Sequence, residues 1–437
     1  MKKKYRKYLF YSIGLIAVII ILIIGATGGY FYSLKDKINQ PIIENAEKNI
    51  HTSFLLEVYD KIQQNYWDTL SEAELNNLYK LGSEKLIGGS HNPDPNNKQG
   101  LEVMLETILK DLDEDQKKEF SAKLSSIVLQ NLQPLGRSGL YTTQDEQALQ
   151  NKVQNVNPEK DLYQDLDINK DSSEKEITQA YQEKIAQAGL LAQDELDKVE
   201  SAYQVLSDDN KKERYDTNGA EPTVYAQIIE PNIFHIHLQR FSPITFEEFQ
   251  IETNKVIDEN LDTLILDLRN NIGGSIDILP YFLGPFIGQD QYAYEFLHQG
   301  ERTPFKTKIG WLNSLISYKK VIILINEQSQ STAELMAAAL KRYNVGVLVG
   351  QTTRGWGTIE RVFQLDNQIS ETEKYSMFLV HTLTLRDDNT PIEGNGVDPN
   401  VFTSASDWTQ QLSTYFDNLN ITKTVQQIWK TDPNTYY

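Results

Sequence analysis

Ser331 ends the loop NEQSQS and opens the helical run TAELMAAALKRY. A serine at such a junction is a candidate nucleophile. The positive end of the helix dipole and the free N–H groups of the first turn favour negative charge developing there. Its hydroxyl attacks poorly until a base removes the proton, so the chemistry turns on which group can act as that base. Glu360 qualifies if burial raises its pKa. His235 and His237, in IFHIHL, fall on one face of a strand by their alternation and are possible replacement bases. Other residues of the Glu360 stretch and of the serine's own helix fail on chemistry. The Trp356 indole, in TTRGWGTIE, only donates a hydrogen bond, and the Arg354 guanidinium stays protonated. Lys341 lies about 15 Å along the same helix from Ser331. The two strand histidines lack a third ligand at recognisable spacing, so no metal and no cofactor is expected. Ser329 is a neighbour on the nucleophile loop, while His381 in MFLVHTLTL and His91 in GGSHNPDPNN read as a strand residue and a solvated loop residue.

These residues need a scaffold. From Thr223 onward, strands alternate with helices: IFHIHL, LDTLILDL, VIILIN and VGVLVG are short apolar runs, and STAELMAAALKRY is strongly helical. That order predicts an α/β core over residues 223–405. Residues 35–150 read as helices with polar links, including LLEVYDKIQQNYW and LEVMLETILKDL, and a helical tail fills 406–437. Residues 158–219 read as a compact helical module, with Asp171, Ser172 or Ser173 capping a helix that carries Glu174 and Glu176 in its first turn.

Three ordered stretches carry a resemblance. LILDLRNNIGGS (264–275) is a strand ending in a Gly-Gly turn, and VIILINEQSQSTAELMAAAL (321–340) is strand, Ser-rich loop and helix. VGVLVGQTTRGWGTIE (345–360) follows, then PIEGNGVDPNV (391–401). Together they resemble the S41 family of tail-specific, or C-terminal processing, serine peptidases, and GLYTTQDE (139–146) is similar to that family's opening segment. The resemblance implies a ClpP/crotonase-like core with Ser331 as nucleophile. It also implies Gly273, Gly274 and the Thr332 N–H as oxyanion donors. Where the family has a proline before the glycine pair, this chain has Ile272. The family's base is a lysine held neutral between two glycines, a position occupied here by Trp356, and the glutamine usually found four residues later is Glu360. The family's peptide-binding PDZ domain is replaced by the helical module. In DLYQDLDI, EKEITQAY and SAYQVLSD followed by RYD, that module resembles the J domain of Hsp40-type co-chaperones. It has Gly189-Leu190-Leu191 where J domains carry His-Pro-Asp, so Hsp70 is not expected as a partner; HNPD at 91–94 lies far from that place.

Composition narrows the partners. The formal charge is −19, and the first eight residues, MKKKYRKY, contribute five cations and no acids, leaving −19 − 5 = −24 beyond them. An acidic body of that size disfavours nucleic acid and anionic lipid. The absence of cysteine excludes thiol chemistry and disulfides. Leu9 to Leu34 are free of charge, long enough for the roughly 30 Å hydrocarbon core, and follow a basic tip. Residues 1–34 are thus expected to be a single-pass anchor in the cytoplasmic membrane, N-terminus inside and body outside. Three functions follow: a serine endopeptidase acting on envelope polypeptides, a pseudopeptidase that binds extended peptides without cutting them, and, more remotely, a membrane-bound co-chaperone.

Overall fold

The computed structural model describes residues 49–89, 95–187, 193–229, 231–257, 259–386, 388–416 and 418–433. The candidate anchor at 9–34, His91 with its HNPD tetrapeptide, and Gly189–Leu191 lie outside the described residues. No helix among the described residues is long and apolar enough to cross a membrane.

Four helices come first: α1 (Ile50–Asn65), α2 (Glu72–Ile87), α3 (Lys98–Lys110) and α4 (Glu114–Gln130). Their starts are written in the sequence. Ser71 and Asp113 each form a capping box with the residue three on, Glu74 and Gln116, and the Asn97 side chain accepts from the Gly100 N–H. A short strand, β1 (Gly139–Thr142), leads into α5 (Thr143–Gln154). The helical module follows as α6 (Leu162–Asp165), α7 (Glu174–Ala186), α8 (Gln193–Leu206) and α9 (Asp209–Asn218). Ser173 is the N-cap of α7, and Leu162, Leu166, Ile177, Val199, Ala202 and Val205 give the module its own small core.

The remainder runs β2 (Val224–Ile229), β3 (Ile233–Leu238), α10 (Pro243–Lys255), β4 (Thr263–Asp267), α11 (Leu279–Ile287), β5 (Tyr292–His298), β6 (Glu301–Lys306), α12 (Asn313–Ile316), β7 (Lys320–Ile325), α13 (Thr332–Arg342), β8 (Val347–Gly350), β9 (Thr358–Gln364), β10 (Tyr375–Leu385), β11 (Val401–Phe402), α14 (Trp408–Tyr415) and α15 (Leu419–Lys430). Two sheets result. One has strand order β11-β8-β7-β4-β3-β2, parallel from β11 to β3 and antiparallel at β2. Its inner strands β3, β4 and β7 are buried on both sides, as central parallel strands are, which explains their apolar runs. Phe234, Ile236, Leu264, Leu266 and Ile323 face the core that includes Ala333, Leu335 and Met336 of α13. Ile233, Ile265, Ile322 and Leu324 face Leu412, Ile421, Val425 and Ile428 of the C-terminal helices. The tail is therefore an amphipathic cover for this face of the sheet.

The second sheet has order β1-β10-β5-β6, with β9 also paired to β10, and is antiparallel throughout. Met377, Leu379, Val380 and Leu383 of β10 share a core with α1 to α4. The sequence suggested a separate helical region up to residue 150 and a distinct core from 223. Instead the first four helices and β1 complete the hydrophobic core of a sheet whose other strands come from the later half. Residues 50–437 form a single unit.

Candidate active site

The site is assembled where β4, β7 and β8 end. Ser331 is the N-cap of α13 and holds φ 55°, ψ −122°, a conformation rare for a residue with a side chain. Such strain is worth about 1–3 kcal/mol and persists only where surrounding contacts enforce it. Two contacts do. The Ser331 N–H donates to Glu334 Oε2 at 2.8 Å, and the Gly273 backbone presses against the side chain. A Cβ on Gly273 would stand 2.6 Å from Ser331 Cβ, so only glycine fits there. Gly274, at φ 139°, is fixed by Phe241, whose carbonyl oxygen would lie 2.2 Å from any added Cβ.

The glycine pair divides its labour. The Gly273 N–H donates to Asn271 Oδ1 at 2.9 Å, so it is occupied and cannot also receive an oxyanion, which corrects the expectation that all three N–H groups serve together. The Gly274 and Thr332 N–H groups carry no hydrogen bond among the described residues. Thr332 Oγ1 donates to the Gly274 carbonyl at 3.0 Å, tying these two donors into one structure beside Ser331. Two preset backbone donors next to a hydroxyl are what a tetrahedral oxyanion requires. Ile272 leaves this geometry intact, because Asn271 supplies rigidity by also donating Nδ2 to the Leu238 carbonyl at 2.7 Å.

Glu334 is the keystone. Its carboxyl group is fully buried and accepts four hydrogen bonds: from Thr353 Oγ1 at 2.6 Å, the Gly355 N–H at 2.7 Å, and the Ser331 and Trp356 N–H groups at 2.8 Å each. Burial pushes its pKa up against the pull of those donors. One side chain thereby joins the nucleophile turn to the Gly355–Gly357 turn. Glu393 completes the second turn by accepting the Gly357 N–H at 2.8 Å and pairing with Arg137 at 3.1 Å.

The indole of Trp356 is held on its face and at its nitrogen. The Arg137 guanidinium lies 3.4 Å from the ring centroid, a cation–π contact reaching across from the segment before β1. The indole Nε1–H of Trp356 donates to Glu360 Oε1 at 3.3 Å, and the same oxygen accepts from Thr358 Oγ1 at 2.6 Å. A cavity of about 310 Å³ is lined by Ser331, Gly274, Leu335, Trp356 and Glu360, with Ile276, Asp277, Phe296 and Arg361 among the other walls. Burial raises the Glu360 pKa, offset in part by Thr358 and the indole.

His235 and His237 are not brought to Ser331. Both side chains are buried on the sheet face covered by the C-terminal helices, where Asp267 meets His235 Nε2 at 3.4 Å and its carbonyl meets His237 Nδ1 at 3.1 Å. Arg269 pairs with Asp267 at 2.7 Å and donates to the Trp429 and Thr431 carbonyls. Ser331 begins a helix packed on the opposite face, and that separation removes both histidines as replacement bases. Ser329 is spent on structure, donating to the Leu268 carbonyl at 2.7 Å, and Lys341 donates away to the Asp398 carbonyl. Sequence reading marked Ser331, Gly274, Thr332, Trp356 and Glu360. It missed Asn271, Arg137 and Glu393. Arg137 had no local signal at all, since its partners lie in a distant part of the chain.

Residues 232–403 match the sequence profile of Peptidase family S41. The Carboxy-terminal-processing protease of Bartonella bacilliformis is 26% identical over 178 residues, covering 40% of this chain and 39% of that protein. The Carboxy-terminal processing protease CtpA of Bacillus subtilis is 28% identical over 146 residues, covering 33% of this chain and 30% of that protein. The matched stretch thus spans well under half the length of either relative. Among solved structures, a photosystem II D1 C-terminal processing protease aligns over 82% of this chain and 93% of its own, with 13% identity and a TM-score of 0.48.

Proposed function

We propose that this chain, whose residues 232–403 match the profile of Peptidase family S41, is a serine peptidase that acts on polypeptides with Ser331 as nucleophile. The observation carrying this reading is the pair of unoccupied backbone donors, Gly274 and Thr332, braced against each other beside a strained serine. Strain retained at one side chain, facing donors with no partner of their own, is hard to account for as structural thrift. Ser331 Oγ attacks the scissile carbonyl, the two N–H groups receive the oxyanion, and the acyl-serine is hydrolysed in a second step.

Trp356 favours a second reading. An indole where the family has its basic lysine accepts no proton, so a domain that binds extended polypeptides without cutting them is the competing function. The two are separated by incubating the full chain with an unfolded polypeptide and identifying new termini by mass spectrometry. Peptidase action predicts cleavage that falls at least about 10³-fold in Ser331→Ala. Uncleaved but retained polypeptide, unaffected by Ser331→Ala, would establish the binding reading instead.

We extend the proposal to the chain's surroundings. The uncharged segment at 9–34 behind a basic tip supports a membrane anchor with the peptidase body outside the cytoplasm, and hence envelope polypeptides as substrates. The J-like module serves to present peptide rather than to recruit Hsp70. With the outer strand β2 it encloses a cavity of about 710 Å³, lined by Lys198, Tyr203 and Gln204 of α8 and by Val224, Tyr225 and Ala226 of β2. A sheet edge beside a polar helix suits an extended chain.

A further inference from the structure

The peptidase reading leaves one chemical role unfilled, the group that takes the proton from Ser331. We infer that Glu360 is this proton acceptor and that Trp356 is the residue that positions it. The inference rests on the peptidase reading and completes it.

Elimination narrows the choice. Glu334 is saturated by four donors that hold the two turns together, so its protonation would dismantle the site. The strand histidines face the other side of the sheet, and Lys341 is fastened to Asp398. Of the carboxylates lining the Ser331 cavity, Asp277 is exposed to water, whereas Glu360 is half-buried. Geometry then supplies the positive case. Both hydrogen bonds to Glu360, from the indole and from Thr358, go to Oε1, which leaves Oε2 without a side-chain donor among the described residues. The shared cavity has room for a substrate carbonyl and one relaying water. The indole thus does for a carboxylate what a neutral amine would do without help: it fixes the direction of the acceptor. Its own place is fixed by Arg137 across its face and by Glu334 on its backbone N–H.

The steps balance. As Ser331 Oγ bonds to the carbonyl carbon, its proton passes to Glu360 and the carbonyl π electrons move to the oxygen held by Gly274 and Thr332. Collapse of that intermediate breaks the C–N bond, and protonated Glu360 returns the proton to the leaving amine. Water then attacks the acyl-serine as Glu360 again accepts a proton; collapse breaks the C–O bond to Ser331, and Glu360 passes that proton to Ser331 Oγ, which releases the carboxylic acid and restores the serine and the carboxylate.

The charged and titratable groups around Glu360 are Arg137 before β1, Tyr141 on β1, Asp277 and Arg361, with Arg354 5.5 Å from the indole centroid. Labelling of the full chain by a fluorophosphonate, followed as a rate against pH, tests the assignment. Labelling needs ionised Glu360, so the rate should rise with pH to a plateau. Glu360→Gln keeps the volume and an oxygen for Thr358, and should lower the plateau at least about 100-fold. Trp356→Phe removes a donor that stabilises the carboxylate. It should move the midpoint to higher pH while leaving a measurable plateau, a shift that a purely structural role would not produce. Glu360→Asp, which retains a carboxylate on a shorter arm, should label at an intermediate rate. Native labelling that is undiminished in Glu360→Gln would overturn Glu360 as acceptor and leave the peptidase reading standing. No labelling of the native chain would sink both, and recovery in Trp356→Lys would then identify a lapsed enzyme with its oxyanion site intact.

Discussion

Glu334→Ala is expected to lower the unfolding free energy by about 3–6 kcal/mol and to abolish reaction at Ser331. Three backbone N–H groups, of Ser331, Gly355 and Trp356, give up their acceptor in one step, and each buried donor left alone is worth roughly 1–3 kcal/mol. The energies are not additive, because the site can relax once the two turns separate. Glu334→Gln discriminates charge from shape. Its amide oxygen can replace one carboxylate oxygen, but its NH₂ then confronts donors at the other, so this variant should also be impaired, by roughly half as much. Chemical denaturation monitored by tryptophan fluorescence gives the answer. A midpoint unchanged in Glu334→Ala would mean that the carboxylate does not hold the site together.

The second large effect is acid lability between pH 6.5 and 4. His237 is fully buried beside Asp267 and Arg269, and burial lowers its pKa from 6.5 to about 4. The folded state keeps the imidazole neutral while the unfolded chain protonates it from 6.5 downward. The unfolded state therefore binds more protons across that window, and stability falls as pH falls. Holding the imidazole at about 4 rather than 6.5 corresponds to roughly 3 kcal/mol, fully present above pH 6.5 and lost by pH 4. Asp267 acts lower still. Burial alone would raise it, but Arg269 and His235 outweigh burial and hold it well below the ordinary carboxylate range, so its contribution disappears only in stronger acid. Unfolding measured between pH 7 and 4 should show this slope, and His237→Gln should flatten it. An equal slope in the variant would place the acid-sensitive group elsewhere.

The parallel sheet was legible because its strands are buried on both faces. LDTLILDL and VIILIN announce themselves as unbroken apolar runs, and turn glycines punctuate them. The antiparallel sheet was not. YAYEFLH and ERTPFK mix polar and apolar residues with little alternation, and β1 is only four residues whose partner lies far along the chain. Pairing of that kind leaves no local trace. The same limit governed the site. The Ser331 junction and the Gly-Gly turn follow from residue type, but the occupation of the Gly273 N–H by Asn271 depends on a side-chain direction that spacing does not convey. Alternation correctly put His235 and His237 on one face. It could not say which face, because that was decided by how the C-terminal helices dock through Ile421, Val425 and Ile428. Trp356 was read as a missing base, and the contacts that give it a positive role, with Arg137 and Glu360, became visible only in three dimensions.

The most direct test is the position of a covalent adduct. The full chain is treated with a fluorophosphonate at neutral pH, digested, and the modified residue located by tandem mass spectrometry. A single adduct on Ser331, with Ser329 unmodified and none in Ser331→Ala, is the predicted result. A native chain that stays unmodified, or one modified elsewhere and equally in Ser331→Ala, would contradict the assignment of Ser331 as a working nucleophile.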